Sequence, residues 1–287
     1  MRGFLAALVL LTACSAPAPL RPWETADGMD TPESAWLDPD SGVLFVSQIG
    51  GDPIAKDGNG RISKLTLDGK VAVTSWVTGL NAPKGLRGAK GTLWVADIDQ
   101  IVGIDIASGR IAQRHAAPGA KFLNDIALGP DGSVYVSDTF GSRIYRLKDG
   151  QVSVFAEGEE MEYPNGLLCE GGSLVVAGWG RPEADFTTKV PGRLFKLDLA
   201  SKKKTLVTPQ PAGNLDGLES DGRGGYVVSD WIAGKVLHIA ADGRIRTLRQ
   251  YKQGTADLAY LPERKALILP LMLENRLVLV DLSREVE

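Results

Sequence analysis

Residues with oxygen or ammonium side chains recur at or beside one repeated position of this chain: Glu33, Lys84, Asn124 with Asp125, Asn165, Asp216 and Asp257. Carboxylates brought to a common point repel one another and lose hydration on burial, so the cluster calls for a cation. Carboxylate and amide oxygens suit a hard divalent ion, with calcium the best match. An ion held this way polarises a carbonyl, and a neighbouring carboxylate such as Asp216 serves as base toward water. The competing reading is that these are solvated turn residues, for which Asp, Asn and Gly are common choices. Glu33 and Lys84 both follow proline and fit turn chemistry poorly. Lys84 adds a second cation to the set. It has four possible uses: an ion pair with Glu33 or Asp125, contact with an anionic substrate, replacement of the metal, or extension to the rim.

Something must bring residues so far apart in sequence together, and a repeat does so. Pro32-Glu-Ser-Ala-Trp36 precedes Gly42–Ser47, and Pro83-Lys-Gly-Leu86 precedes Gly91–Asp97. Asn124–Ala127, Pro164–Leu167, Leu215–Leu218 and Ala256–Ala259 each stand before a similar run. Alternating apolar and polar stretches of about five residues, set off by Gly, Asp and Pro turns, specify strands. The Asp-Gly turns at 68–69, 149–150 and 242–243 specify hairpins. The expectation is an all-β, six-bladed β-propeller with four-stranded antiparallel blades, a single domain over residues 23–287. The sixth unit lacks chain for a fourth strand, so Leu20–Ala26 around Trp23 is expected to supply it. Aligned by the repeat, Glu33, Lys84, Asp125, Asn165, Asp216 and Asp257 converge on the channel axis.

The N-terminus reads differently. Arg2, an apolar run from Phe4 to Leu11 and then Leu11-Thr-Ala-Cys14 form an export signal over residues 1–13. Cys14 is expected to be lipidated, with residues 14–22 as tether and the propeller on the periplasmic side of a bacterial membrane. The membrane is contacted only through that anchor. A net charge of −3 leaves no electrostatic footprint for nucleic acid. The basic run Lys202-Lys203-Lys204 reads as a solvated turn. Cys169 in an apolar strand reads as an inert thiol.

Four of these motifs, Pro-Glu-Ser-Ala-Trp36, Asn124-Asp125, Pro164-Asn165-Gly166 and Asp216-Gly217, resemble the SMP-30/gluconolactonase/LRE group of six-bladed propellers. The similarity extends over nearly the whole chain beyond the signal. It implies a divalent metal, calcium foremost, held by Glu33, Asn165, Asp216 and Asn124, with Asn124 also able to contact substrate. It further implies a metal-dependent hydrolase of small lactones or esters, with Asp216 and Asn124 in catalysis. Regucalcin-like members of the group carry arginine where this chain has Phe122, a departure that weighs against a sugar lactone as substrate. The alternative function is a non-catalytic periplasmic propeller that binds a ligand or protein through its top face; Lys84 and Phe122 favour it.

Two long loops complete the expected site. Trp179-Gly180-Arg181 to Lys189, together with Trp231, is expected to wall a small-molecule site, with Arg181 as an anion contact and Lys84, Asp125 and Asp257 also touching substrate. Packing between blades is the alternative for both tryptophans. The segment from Gly50 to Gly60 is expected to overhang the channel. Within it, Lys56–Ser63 resembles an EF-hand loop but lacks its first acidic ligand and its terminal glutamate. His115 and His238 have no partner motif, and serine-nucleophile, HExxH and phosphate-loop signatures are missing from the sequence.

Overall fold

β-Branched and aromatic residues alternating with polar ones favour half-buried strands, and the Asp-Gly corners return each strand beside its predecessor. The computed structural model describes residues 20–285. It contains six four-stranded antiparallel sheets. Blades one to five occupy residues 32–80, 83–116, 123–157, 164–206 and 215–250. Blade six combines Ala259–Leu261, Ala266–Leu271 and Arg276–Asp281 with the N-terminal strand Trp23–Thr25. Trp23 pairs with Leu279, and its Nε1 donates to Leu67 O at 2.9 Å. The expected closure of the ring is thereby met. The signal, Cys14 and the first part of the tether lie outside the described residues.

Six apolar clusters hold the ring, one at each interface between neighbouring blades. Between blades one and two, Phe45, Ile62 and Leu80 meet Leu86, Leu93 and Val102, all fully buried. Each such side chain contributes about 1.5–3 kcal/mol on leaving water. Gly88 lets the ring of Trp36 lie on the blade-two backbone; a Cβ there would stand 2.1 Å from Trp36.

The first strand of each blade lines the channel: Pro32–Leu37, Pro83–Ala89, Leu123–Leu128, Pro164–Glu170, Leu215–Ser220 and Ala259–Leu261. In blades one to five its pairing with the second strand slips near the upper end, between Pro32 and Ser34, Pro83 and Leu86, Leu123 and Ile126, Pro164 and Leu167, and Leu215 and Leu218. A bulge bends a strand and re-aims the side chains within it. These five bulges contain Glu33, Lys84, Asn124, Asn165 and Asp216.

Candidate active site

Each bulge leaves a backbone N–H without a ladder partner, and serine hydroxyls on the second strands satisfy three of them. Ser34 N, Asp125 N and Gly217 N donate to Ser47 Oγ, Ser137 Oγ and Ser229 Oγ at 3.0, 2.8 and 2.8 Å. All three serines are fully buried. Ser137→Ala is expected to orphan the Asp125 amide and lower unfolding stability by about 1–3 kcal/mol in a denaturant titration. An unchanged midpoint would mean that another acceptor reaches that amide.

Strand register sorts the axial residues into tiers and corrects the sequence alignment. Leu86, Ile126 and Leu218 face Val95, Val136 and Val228 at equivalent rungs. Two residues before each of them stand Lys84, Asn124 and Asp216, level with Glu33 and Asn165, and this is the upper ring. Asp125 and Asp257 lie one step later and fall in a second tier with Ser34, Gly85, Gly166 and Gly217. Ala256 therefore holds the blade-six place in the upper ring. The glycines make room for this tier: a Cβ on Gly85 would lie 2.3 Å from Asp125 Oδ1, and one on Gly217 would lie 2.9 Å from Asp257 Oδ1.

The two tiers differ in their bonding. Asp125 accepts hydrogen bonds from the Leu167 and Ile126 amides at 2.7 and 2.6 Å. Asp257 accepts one from Ser34 Oγ. Neither lines the cavity above, so the expectation that they touch substrate is not met. Asp257 Oδ1 is buried without a partner, and so, in the upper ring, are four oxygens from four blades: Glu33 Oε2, Asn124 Oδ1, Asn165 Oδ1 and Asp216 Oδ1. Burial pushes the Glu33 carboxyl well above its ordinary range, with Asp216 and Asp257 adding to the shift. Asp216 is raised the same way, by burial and then by Asp257 and Asp125. Four buried oxygens from four blades, each without a donor, fit a hard cation. Among the described residues no three His, Cys, Asp or Glu side chains form a metal-binding group; the set here is two carboxylates and two amides.

Lys84 is 1 % exposed and does not reach the rim. Its Nζ donates to Pro53 O and Ala82 O at 2.9 and 3.0 Å and stands 4.3 Å from the centre of the Phe122 ring. Burial pushes its pKa down to about 8, against the opposing pull of Glu33, Asp97 and Asp52. Carbonyls and an aromatic face hold the ammonium, and no carboxylate among the described residues lies within ion-pair distance, so the ring keeps its orphaned oxygens.

Above the ring lies a cavity of about 320 Å³. Its floor includes Glu33, Lys84, Asn124, Asn165 and Asp216. Its wall comes mostly from the loops between the second and third strands: Pro53 of blade one, Phe140 of blade three, Trp179 and Phe186 of blade four, Trp231 of blade five and Leu273 of blade six. Trp179 and Trp231 both line the cavity, their ring centres 6.0 Å apart. The Gly50–Gly60 loop does overhang the channel, through Gly51 and Pro53. Residues 57–58 form a bend closed by Asn59 N donating to Asp57 Oδ1 at 3.1 Å. Arg181 points elsewhere: its side chain is 75 % exposed and meets Glu159 outside the cavity. Its loop turns back after Gly180, which leaves the arginine on the outer side.

A third tier was not foreseen from sequence. Arg87 on blade two and Glu219 on blade five form an ion pair of 2.8 Å across the channel, with Asp257 4.0 Å from Arg87. Burial opposes the Arg87 charge, but Glu219, Asp257 and Asp125 hold its pKa above the ordinary value. Burial raises Glu219 to about 7 in spite of Arg87. The signal is present in the sequence: Arg87 and Glu219 are the two charged residues that directly follow the leucine of a Gly-Leu step, in blades that face each other. Of the two histidines, His115 is half-buried beside Gln113, and His238 bonds Asp221 at 2.8 Å, a partner the sequence does not suggest. Neither lines the cavity. Cys169 is half-buried, and burial pushes its thiol up to about 12, as befits an inert group.

No protein-family model matches the sequence, and no curated protein matches it either. Solved structures do match in shape. A gluconolactonase from Xanthomonas campestris shares 18 % identity over 91 % of this chain and 86 % of its own, with a TM-score of 0.62. Nidogen, solved in complex with laminin, gives 18 % identity, coverage of 84 % and 89 % and a TM-score of 0.66. A virginiamycin B lyase from Staphylococcus aureus, solved as an inactive histidine-to-alanine variant with quinupristin, gives 14 %, 90 % and 98 %, and 0.59. The chain shares their propeller fold. At these identities the likeness extends to architecture alone, and propellers host unrelated functions.

Proposed function

We propose that the propeller is a calcium-dependent hydrolase of small lactones or esters, working at the upper ring of the channel. The observation that carries this reading is the set of four buried, partnerless oxygens converging from blades one, three, four and five. Glu33, Asn124, Asn165 and Asp216 would hold the ion. When bound, calcium supplies polarisation of the substrate carbonyl and stabilises negative charge developing on its oxygen. The protein's own groups do the rest. The cavity orients the ester above the floor and excludes bulk water. The second oxygen of Asp216 takes a proton from the attacking water as the new C–O bond forms. That proton passes to the departing alkoxide as the acyl C–O bond breaks. Asn124 can turn its amide N–H toward the substrate.

Two other fold relatives supply competing readings. The lyase was inactivated by loss of a histidine, and here neither histidine is near the cavity, which speaks against chemistry of that kind. The nidogen structure favours protein binding, but an axial cavity of about 320 Å³ is at the scale of a small molecule. The test is calorimetric and kinetic. Calcium should raise the melting temperature of the purified domain and support lactone hydrolysis that a chelator stops. No thermal shift with calcium, magnesium, manganese or zinc would sink the reading. The same proposal puts the enzyme on the periplasmic side of a bacterial membrane, tethered through a lipid on Cys14. Growth with a tagged fatty acid should label the protein, and Cys14→Ser should not be labelled.

A further inference from the structure

We infer that the cavity selects an apolar acyl or aryl lactone or ester without hydroxyl groups, rather than a polyhydroxylated sugar lactone. This rests on the hydrolase reading and narrows its substrate. The wall above the four oxygens is aromatic. Phe122 and Phe140 stack at 4.3 Å, and Phe186 tilts against them at 6.3 and 5.4 Å. Trp179 and Trp231 continue the aromatic lining. Two of the donors in that wall are already engaged: Thr139 Oγ1 donates to Pro164 O at 2.9 Å, and Trp179 Nε1 to Phe186 O at 3.1 Å.

The backbone is bent to build this surface. Phe186 sits at φ +65°, a region bulky side chains avoid, and the strain is offset by placing its ring over Phe140. A sugar lactone would bring several hydroxyls against these rings. Each one stripped of water without a new partner costs roughly tenfold in affinity. An alkyl or aryl substituent gains from the same surface. Lys84 cannot serve as a general hydroxyl partner, since two of its three N–H groups point to carbonyls and its charge faces Phe122.

Binding and turnover can be read separately, because Trp179 and Trp231 report on the cavity by fluorescence. The calcium-loaded protein would be titrated with γ-lactones whose side chains grow from none to eight carbons, and with gluconolactone. Affinity and kcat/KM should rise with chain length and exceed those for gluconolactone at least tenfold. Phe140→Ala should weaken the long-chain lactone about tenfold while leaving the calcium-induced thermal shift intact. Tighter binding of gluconolactone, or no dependence on chain length, would overturn the inference and leave the hydrolase reading standing. Chain-length-dependent quenching with no turnover of any ester would uphold the apolar selection and remove the hydrolase reading. A failure of every lactone to quench either tryptophan would overturn the inference.

Discussion

Glu33→Gln is expected to abolish the calcium-induced rise in melting temperature without lowering the melting temperature of the metal-free protein. At a calcium concentration a hundred times its Kd, binding to the native state alone adds about 2.7 kcal/mol. For a domain of this size that corresponds to roughly 5–10 °C. Glutamine keeps the volume and one oxygen but removes the negative charge, and a hard cation held by two carboxylates and two amides tolerates that loss poorly. The metal-free protein should not suffer, because burial and the neighbouring Asp216 and Asp257 already disfavour the Glu33 anion. A shift that survives in this variant would move the ion, if one binds, away from the upper ring. Differential scanning calorimetry with and without chelator checks both halves of the expectation.

Arg87→Met should destabilise the protein by about 3 kcal/mol at pH 8, because deleting one partner of a buried ion pair strands the other. The loss should shrink toward pH 5. Arg87 lowers the pKa values of Glu219, Asp257 and Asp125 in the folded state. Without it those folded values climb further above the unfolded ones, which lie near 4. A carboxyl raised on folding favours the native state when protonated, and that stability drains as pH rises through the folded pKa. Compared with the wild type, the variant should therefore lose stability more steeply from pH 5 to 8. Guanidinium unfolding in chelator at the two pH values measures this, and equal losses at both would show that the carboxylates do not face the arginine.

The fold could be read from sequence because a propeller repeats its evidence: strands, Asp-Gly corners and the short sixth unit all pointed to one ring. Upper-ring residues in blades one, two, four and five were also legible, since Pro-Glu, Pro-Lys, Pro-Asn and Leu-Asp share one frame. The frame fails by a single step at Asn124-Asp125 and Ala256-Asp257, where two polar or small residues adjoin; the bulge decides the first, and the pairing of Asp257 with Ser34 decides the second. Counting along a regular strand cannot place a bulge. The serines that fix it, Ser47, Ser137 and Ser229, read in sequence as ordinary strand residues. Arg181 was misplaced for a related reason, because a loop's direction depends on backbone turns such as the one at Gly180, which has φ +89°. The Arg87–Glu219 pair needed knowledge that blades two and five face each other, which follows once the count of six is accepted.

The closing strand has a consequence for how the molecule is made. Trp23–Thr25 is among the first parts of the propeller to leave the ribosome, yet its partners Leu277–Leu279 are among the last. Until they emerge, the sixth blade is incomplete and the sheets on either side of it leave apolar faces uncovered. Contacts of such sequence separation carry the full entropy of bringing distant segments together before they return any energy. Closure therefore waits until Leu277–Leu279 are available, and a chain holding only the first five blades stays open.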